Sequence, residues 1–369
     1  MSSSFRARPR RLAAAASALA AGALTLALGA CGTTDVSSSS ADSAASDGGS
    51  AAAAISKDCA QDTTATLDDP VSITDGVGRT VELEKPAQRV VVLEWQQVED
   101  ALSLCVQPVG VSEPDGFRTW DSAETLPEGV EDVGTRGEPD LDTVLSLDPD
   151  LVVVEAFSKD DEIIGQLEKT GVPVLATLGA DPDDPIGNMK SVFSMIGEAT
   201  GRSERADAVL EELDENLAAA KKEVQDADLE TNEFLFFDGW VEGGNLTIRP
   251  YTDGALFTEL GKELGLTPAW DDDLEEAYGT GGVSEEYGLT QTDVEGLTAV
   301  GDANLFYAND EGTGEGSYID EMHKNDIWSS LPAVKAGRAH AFPPRIWGAG
   351  GPRSNEQAID AFVDGITQG

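Results

Sequence analysis

The strongest constraint on the fold is the alternation of short, continuously apolar segments with segments of helical periodicity. Residues 90–93 and 151–154 are apolar at every position, which is typical of strands buried on both faces of a sheet. Residues 98–104, which follow the first strand, have the spacing of an apolar helix face. Residues 71–83 instead alternate around Asp75-Gly76 and predict an N-terminal β-hairpin. Strands that alternate with helices in this way predict an α/β fold with a parallel, doubly wound sheet.

The second half of the chain repeats the pattern of the first. An ungapped alignment of residues 140–154 with residues 293–307 lays one apolar strand on another. Residues 92–95 correspond to residues 236–240, since each strand ends in an acid and a nearby tryptophan. Open sheets of this kind bind ligands beyond the C-terminal ends of their strands. We therefore predict two doubly wound α/β lobes with a ligand cleft between them.

A long helical stretch separates the two repeats. Apolar residues from Val209 to Val224 recur at helical spacing within residues 185–228, and Gly201 is a point where the helix can break. The sequence therefore predicts an N-terminal α/β lobe over residues 67–184, an inter-lobe helix over residues 185–228 and a C-terminal α/β lobe over residues 229–369.

Residues 1–30 have the organisation of an export signal. Four arginines between residues 6 and 11 precede an apolar run rich in alanine and leucine, which ends immediately before Cys31. This ending resembles the lipobox of bacterial lipoproteins, in which the cysteine is lipidated and becomes the first mature residue. We expect a lipoprotein signal peptide over residues 1–30, a lipidated Cys31 and an extracytoplasmic location at the cell membrane. The alternative is a chance cysteine after an uncleaved anchor.

The segment after this cysteine is predicted to be a flexible tether over residues 31–66. It consists largely of Ser, Ala, Asp, Gly and Thr, so it cannot bury enough apolar surface to offset its ordering entropy. Roughly 300 residues remain after it, which is enough for two lobes that each have their own core.

The chain is strongly acidic, with a formal net charge of −45. A basic stripe for phosphates is absent from the sequence, which argues against nucleic acid as a partner. The acid excess favours solubility in an exposed compartment. It also favours neutral or cationic ligands over polyanions, although salt limits this effect to about 10 Å.

If Cys31 carries a lipid, two cysteines remain, Cys59 and Cys105. In an oxidising compartment they can form a disulfide that would fix the end of the tether to the first lobe. Two unpaired buried thiols are equally compatible with the sequence, because it does not show whether the Cα atoms approach within about 7 Å.

Three separated segments resemble the periplasmic iron-siderophore binding proteins of ABC importers. They are residues 74–92 (TDGVGRTVELEKPAQRVVV), 133–142 (VGTRGEPDLD) and 331–338 (LPAVKAGR). The resemblance covers residues 71–369 and is closest to the members that bind ferric hydroxamates. It implies a monomer that captures a ferric siderophore, delivers it to the transmembrane subunits of an ABC permease, and contacts the membrane only through its lipid anchor.

The resemblance also implies which side chains bind the ligand. Residues 93–95 and 117–120 are similar to a strand-end tryptophan and a Tyr-Arg-x-Trp segment of hydroxamate-binding members, so Arg118 is expected to donate to hydroxamate oxygens. Trp240 is added because it ends the equivalent strand of the second lobe. The expected ligand-binding residues are Trp95, Arg118, Trp120, Trp240, Tyr278 and Trp347.

The sequence departs from the family pattern at two positions. Ala349 stands where a pocket tyrosine is expected, and the tyrosine expected after the third strand of the first lobe is at best Phe157. Trp270 and Trp328 are expected to be packing residues. The remaining arginines in Gly- and Pro-rich loops, Arg249, Arg345 and Arg353, either face the cleft or lie on the surface.

The chemistry of such a cargo agrees with these residue types. In a ferric siderophore the iron is already coordinated, so the protein needs no cofactor and no metal-ligating side chains. Aromatic faces suit the apolar body of the siderophore, and the fixed fork of an arginine suits its oxygen acceptors.

Three acids are expected to contact the permease. Asp142 and Glu295 are equivalent in the two repeats and are placed in the first turn of a helix, where the helix dipole favours a carboxylate. In the family an acid on each lobe contacts permease arginines, and the resemblance implies this role for both residues and for Glu138. Simple helix capping is the alternative. Residues 354–357 (SNEQ) are likewise predicted to cap the last helix.

Other cargoes and other classes of protein remain as alternatives. The same architecture could bind haem, cobalamin or ferric citrate. A bare zinc or manganese ion is disfavoured, because the chain has only His323 and His340. A secreted enzyme is disfavoured because the sequence has no Gly-rich phosphate loop, no G-x-S-x-G elbow and few histidines to act as a base.

Overall fold

The computed structural model describes residues 56, 58–280, 284–311 and 316–367, and this part of the chain contains twelve strands and twelve helices. The strands are β1 (Val71–Thr74), β2 (Thr80–Leu83), β3 (Val90–Val92), β4 (Gly110–Val111), β5 (Glu131–Asp132), β6 (Leu151–Ala156), β7 (Val174–Leu178), β8 (Glu233–Glu242), β9 (Asn245–Pro250), β10 (Thr267–Pro268), β11 (Asn304–Asn309) and β12 (Ala339–Pro344). The helices are α1 (Trp95–Ser103), α2 (Pro114–Trp120), α3 (Leu141–Ser146), α4 (Glu162–Glu168), α5 (Pro185–Ala199), α6 (Ser203–Asp226), α7 (Leu256–Glu263), α8 (Asp272–Tyr278), α9 (Tyr318–Lys324), α10 (Asp326–Ser330), α11 (Pro332–Ala336) and α12 (Pro352–Thr367). Short 3₁₀ turns occur at Cys59–Gln61, Glu285–Tyr287 and Gly296–Thr298.

The first lobe contains a five-stranded sheet in the order β5-β4-β3-β6-β7, and all its strands are parallel. The predicted parallel, doubly wound sheet is therefore confirmed for this lobe. The chain proceeds from β3 toward one edge and from β6 toward the other, so the topological switch point lies between β3 and β6. The predicted hairpin is also present, with β1 antiparallel to β2 beside this sheet.

The second lobe contains a five-stranded sheet in which β10, β8, β11 and β12 are parallel neighbours. Its switch point lies between β8 and β11. The fifth strand, β9, is antiparallel to the second half of β8, so this sheet is mixed rather than wholly parallel. The reason is local: β8 continues past its parallel partners and turns back at Gly243-Gly244 into a hairpin.

The predicted internal repeat is visible in the two sheets. The ungapped alignment that pairs residues 140–154 with residues 293–307 also superposes the bounds of β6 and β11. β6 pairs with β3, as β11 pairs with β8, in the same position of each sheet. The internal repeat predicted that the C-terminal ends of these four strands face the ligand cleft.

The predicted helical stretch over residues 185–228 is divided near Gly201, where the sequence allowed a break, into α5 and α6. Gly201 ends the first helix with a φ of +72°, and a Cβ atom there would lie 2.5 Å from the carbonyl oxygen of Leu67. Both helices contribute to both cores: Met189 and Leu213 pack in the second lobe, whereas Phe193 and Val209 pack in the first. The connection between the lobes is thus an antiparallel helix pair.

The last helix also joins the lobes, and its cap differs from the prediction. α12 begins at Pro352, before the segment that was expected to cap it. Glu99 of α1 supplies the cap, because its carboxylate accepts from the backbone N–H groups of Gly351 (3.0 Å) and Ser354 (2.9 Å). Further along α12, Phe362 lies in the aromatic core of the second lobe, 5.7 Å from Phe234.

The predicted tether extends too far toward the first lobe. Residues 62–66 are held by the buried Arg202, whose guanidinium donates to the side chains of Asp62 and Thr66 and to the carbonyl of Thr64. Cys59 and Cys105 form a disulfide with a Cα–Cα distance of 5.5 Å, so the open alternative of two free thiols is resolved. The signal peptide, Cys31 and residues 31–55 of the tether lie outside the described residues. Among the described helices, none combines the length and the apolar character needed to cross a membrane.

Candidate ligand-binding site

A cavity of about 810 Å³ lies between the lobes, at the C-terminal ends of the strands that flank both switch points. The strands contribute Glu94 after β3, Glu155 near the end of β6, Asp238 and Trp240 in the second half of β8, and Asp310 after β11. Its volume is within the range of roughly 300–1,000 Å³ that is usual for small-molecule sites.

Four of the predicted tryptophans line this cavity: Trp95, Trp120, Trp240 and Trp347. Trp95 and Trp347 come from different halves of the chain and meet edge to face, with ring centroids 5.1 Å apart and an interplanar angle of 64°. Trp95 is 4% exposed, and its indole N–H donates to the carbonyl of Ser112 at 3.3 Å. The indole pair is therefore a rigid apolar surface at the first-lobe end of the cavity.

Arg136 lies on this aromatic surface. Its guanidinium carbon is 3.9 Å from the ring centroid of Trp95 and 5.7 Å from that of Trp347, within the range of cation–π attraction. Nη1 donates to Glu94 at 2.7 Å, and Nε lies 3.4 Å from a carboxylate oxygen of Glu113 without a well-formed hydrogen bond. Arg136 therefore presents a fixed cation with unused donor capacity at the cavity wall.

A second arginine, Arg249, is held on the opposite lobe. It forms a bidentate pair with Asp238, with Nε at 2.8 Å and Nη2 on the other oxygen, and its guanidinium carbon is 5.7 Å from the ring of Trp240. Burial lowers the pKa of Arg249, but the charge of Asp238 outweighs it and raises the pKa above its ordinary value. The Tyr251 hydroxyl also donates to Asp238, at 3.3 Å. This pair is charge-neutral and ordered.

The third arginine of the cavity, Arg345, differs from the other two in its exposure and in its side-chain contacts. It has a φ of +65°, is exposed, and lines the cavity. Within the described ranges no residue forms an ion pair or hydrogen bond with its side chain. It is thus an exposed cation of the cavity wall that forms no ion pair among the described residues.

One hydrogen bond crosses the cleft inside the cavity. The Tyr287 hydroxyl of the second lobe donates to Glu155 of the first lobe at 2.8 Å, and the Tyr287 ring packs edge to face on Phe157. Burial, together with the charge of Glu94, raises the pKa of Glu155 to about 7, although Tyr287 and Arg136 act in the opposite direction. Burial and the charge of Glu155 also raise the pKa of Tyr287.

Two of the predicted ligand-binding residues do not line the cavity. Arg118 donates to Asp115 at 3.1 Å and to the carbonyl of Pro127 at 3.2 Å, because α2 directs it along the surface of its own lobe. Tyr278 is exposed at the end of α8. Arg136 is the arginine of the first lobe that lines the cavity, whereas Arg118 is not in its lining.

Arg136 was not among the predicted ligand-binding residues, although it lies within residues 133–142, one of the segments that resemble the family. Its position shortly after β5, a parallel strand whose C-terminal end faces the cleft, could have indicated that it lines the cavity. Glu155 and Tyr287 were harder to predict as site residues. The repeat indicates only that Glu155 lies near the end of a strand, and it does not indicate Tyr287. For Arg249, Arg345 and Arg353 the sequence left open whether each faces the cleft or lies on the surface. Arg249 and Arg345 line the cavity, whereas Arg353 lies outside it and pairs with Glu212 and Glu356.

The remaining aromatic and acidic residues divide between the core and the surface. Trp270 and Trp328 are 3% and 4% exposed, so their expected packing role is confirmed. The acids Glu138, Asp142 and Glu295 are all exposed. Asp142 is in the first turn of α3, but Glu295 only precedes a single 3₁₀ turn and makes no side-chain cap there.

No group of three or more His, Cys, Asp or Glu among the described residues is arranged to hold a metal ion. His323 contacts Tyr307, and His340 packs on Phe306. Neither histidine lines the cavity.

Comparison with known proteins places this chain in a family. The model of the family described as periplasmic binding protein matches residues 90–345. The chain is 22% identical over 260 residues to the iron(3+)-hydroxamate-binding protein FhuD of Escherichia coli strain K12, covering 70% of this chain and 80% of that protein. It is 27% identical over 278 residues to the Fe(3+)-citrate-binding protein YfmC of Bacillus subtilis strain 168, covering 74% and 79% respectively.

A solved structure supports the fold. The Fe³⁺-Desferal-bound siderophore binding protein FhuD from Vibrio cholerae matches with a TM-score of 0.64 at 22% identity, covering 76% of this chain and 98% of that one. The predicted α/β architecture with two lobes is thus shared with a protein of this kind.

Proposed function

The chain belongs to the periplasmic binding protein family, and we propose that it captures a ferric siderophore outside the cytoplasmic membrane and delivers it to an ABC permease. Membership of this family of binding proteins confirms the expectation that the chain is not an enzyme. The observation that carries the proposal is the cavity between the lobes, where Trp95 and Trp347 form an indole surface with Arg136 on it.

We propose a siderophore of hydroxamate type as the cargo. A tris-hydroxamate ferric complex has no net charge at its iron centre, whereas ferric citrate and catecholate complexes are anionic. The cavity is lined by six carboxylates (Glu94, Glu113, Glu155, Asp181, Asp238 and Asp310) but by three arginines (Arg136, Arg249 and Arg345). Two of these arginines are already paired with lining carboxylates, so a polyanion would meet an uncompensated negative wall.

The division of roles within the proposed site follows from the contacts. The ring faces of Trp95, Trp120, Trp240 and Trp347 cover the polymethylene body of the ligand. Arg136 donates to hydroxamate oxygens, with Arg345 as a second donor. The iron complex is the cargo, and no resident cofactor is part of the proposal.

Attachment and delivery complete the proposal. Cys31 carries the lipid that holds the monomer at the cell membrane, and the exposed acids Glu138, Asp142 and Glu295 contact basic residues of the permease. Several Bacillus subtilis relatives are named substrate-binding lipoproteins, which supports an extracytoplasmic, anchored protein.

The test is a fluorescence titration of the protein carrying Cys31→Ser, which removes the lipid site. Ferrichrome, ferrioxamine B, ferric citrate, haem and cobalamin are each added while tryptophan emission is followed. We expect saturable quenching by the two hydroxamates at the lowest concentrations. Saturation by ferric citrate, haem or cobalamin at lower concentrations than either hydroxamate would contradict the proposed cargo.

Two arginine variants form a matched pair for this titration. Arg136→Ala should weaken hydroxamate binding by about tenfold or more, because charged hydrogen bonds contribute roughly 1.5–3 kcal/mol each. Arg118→Ala removes an arginine of the same lobe that lies outside the cavity, and it should leave the affinity unchanged. Equal losses in the two variants would refute the role of Arg136.

A further inference from the structure

Glu155 is a half-buried carboxylate of the first lobe that lines the cavity and forms no ion pair with a cation among the described residues. It lies in β6 at the switch point of the first sheet. No Lys, Arg or His of the described ranges forms an ion pair with it, and its hydrogen-bond donor is the neutral hydroxyl of Tyr287. By contrast, Glu94 and Glu113 share Arg136, and Asp238 has Arg249.

The groups that face Glu155 from each neighbouring element leave its charge uncompensated. They are Glu94 at the start of α1, Arg136 after β5, and Tyr287 across the cleft. The guanidinium of Arg136 is committed to Glu94 and Glu113, so three carboxylates share a single fixed cation. When all three carboxylates are ionised, the negative charge is therefore in excess by two at this end of the cavity.

Aromatic and small residues shape the space beside this carboxylate. Phe157 and Tyr287 pack edge to face with centroids 5.9 Å apart, next to Glu155. Gly179 of the cavity wall allows this close approach, since a Cβ atom there would lie 2.8 Å from the Glu155 carboxyl carbon and 2.6 Å from the Phe157 ring. A carboxylate flanked by aromatic rings is the environment in which proteins bind ammonium groups.

Resting on the proposed function, we propose that Glu155 is the counter-ion for a cationic ammonium group carried by the organic part of the siderophore. The cargo is then an amine-bearing ferric hydroxamate with a net positive charge. A partly desolvated carboxylate beside other carboxylates is costly unless a cation accompanies it. An ammonium group on the ligand supplies that cation, and the carboxylate then selects it over a neutral analogue.

The experiment compares two complexes that differ only in the amine. Ferrioxamine B has a free primary amine, and its N-acetyl derivative has the same iron centre without the charge. Both are titrated against the Cys31→Ser protein at pH 6 and pH 8. At pH 8 we expect the amine-bearing complex to bind about tenfold more tightly than the acetylated one, as is usual for a close charge pair in a partly desolvated site.

The pH dependence adds a second readout. The amine stays protonated over this interval, because alkylamines have pKa values near 10. Ionisation of Glu155, whose pKa is about 7, should therefore strengthen binding of the amine-bearing complex as the pH rises from 6 to 8. The acetylated complex should show no such rise.

Substitutions locate the effect. Glu155→Gln keeps an acceptor for Tyr287 and should abolish both the tenfold preference and its pH dependence. Asp183→Asn removes the same charge from an exposed residue outside the cavity lining, and it should keep both.

The outcomes separate this inference from the proposed function. Equal binding of the two complexes to the unsubstituted protein, or a preference that survives in Glu155→Gln, would overturn the role of Glu155 while leaving hydroxamate capture intact. If neither complex quenches the fluorescence, the proposed function fails and the inference fails with it.

Discussion

Replacing Glu99 with alanine should destabilise the protein strongly, although Glu99 lies outside the cavity lining. Its fully buried carboxylate accepts from Gly351 N–H at 3.0 Å, Ser354 N–H at 2.9 Å and the Ser354 hydroxyl at 2.7 Å. The substitution leaves these three donors without an acceptor at the N-terminus of α12. It also removes a negative charge from the positive end of that helix.

The expected magnitude follows from these contacts and from one opposing effect. Three hydrogen bonds to a charged acceptor, each contributing roughly 1.5–3 kcal/mol, give a gross loss of about 4.5–9 kcal/mol. Burial, and after it the charge of Glu99, raises the pKa values of Asp100 and Asp121, so deletion of Glu99 relieves some repulsion. Allowing about 1–2 kcal/mol for that relief, we expect a net loss of about 2.5–8 kcal/mol.

Equilibrium unfolding in urea at pH 7, followed by tryptophan fluorescence, measures this loss. Glu215→Ala removes an exposed carboxylate from α6 and serves as the control, with an expected change within about 0.5 kcal/mol. If Glu99→Ala shifts the unfolding free energy no more than the control, the carboxylate does not stabilise the junction between α1 and α12. The reasoning from its hydrogen bonds would then be wrong.

Two further predictions concern the first lobe. The Cys59–Cys105 disulfide closes a loop with a sequence separation of 46. Replacing both cysteines with serine should therefore lower the free energy of unfolding by about 4 kcal/mol in the chain-entropy description. A reductant that leaves the urea midpoint of the unsubstituted protein unchanged would contradict this. Burial raises the pKa of Glu124 to about 7, against the opposing hydrogen bond from Ser103. Because the native state binds this proton more tightly than the unfolded chain, its contribution is complete below pH 4.5 and is lost as the pH rises to 7. Glu124→Gln should therefore reduce the decline in unfolding free energy over pH 4.5–7.5 by at most about 3 kcal/mol, and an identical decline in both proteins would refute the assignment.

Much of the fold could be predicted because it depends on local periodicity. The continuous apolar runs at residues 90–93 and 151–154 identified β3 and β6, and the alternation around Asp75-Gly76 identified the first hairpin. The internal repeat then placed the strand ends, and with them Trp95 and Trp240, at the cleft. These features can be recognised from residues that are neighbours in the sequence, or from a second segment with the same pattern.

The features that were missed depend on contacts between distant parts of the chain. The cap of α12 comes from Glu99, which precedes Ser354 by 255 positions, so no local pattern reveals it. Arg136 and Arg118 both follow strands of the first lobe, and their side-chain partners alone decide which one faces the cavity. Tyr287 reaches Glu155 only after the two lobes have come together.

The helices that connect the lobes determine how the protein responds to cargo. α5 and α6 pack in both cores, and α12 is fixed at one end to Glu99 and at the other to Phe234. A hinge needs backbone torsions that change at low cost, whereas bending here would break helical hydrogen bonds or uncap a buried helix terminus. The two walls are therefore braced at a nearly constant separation, and a loaded protein should differ from an empty one in the side chains at the rim rather than in its outline. In the proposed function, the permease would then recognise the loaded protein from that rim.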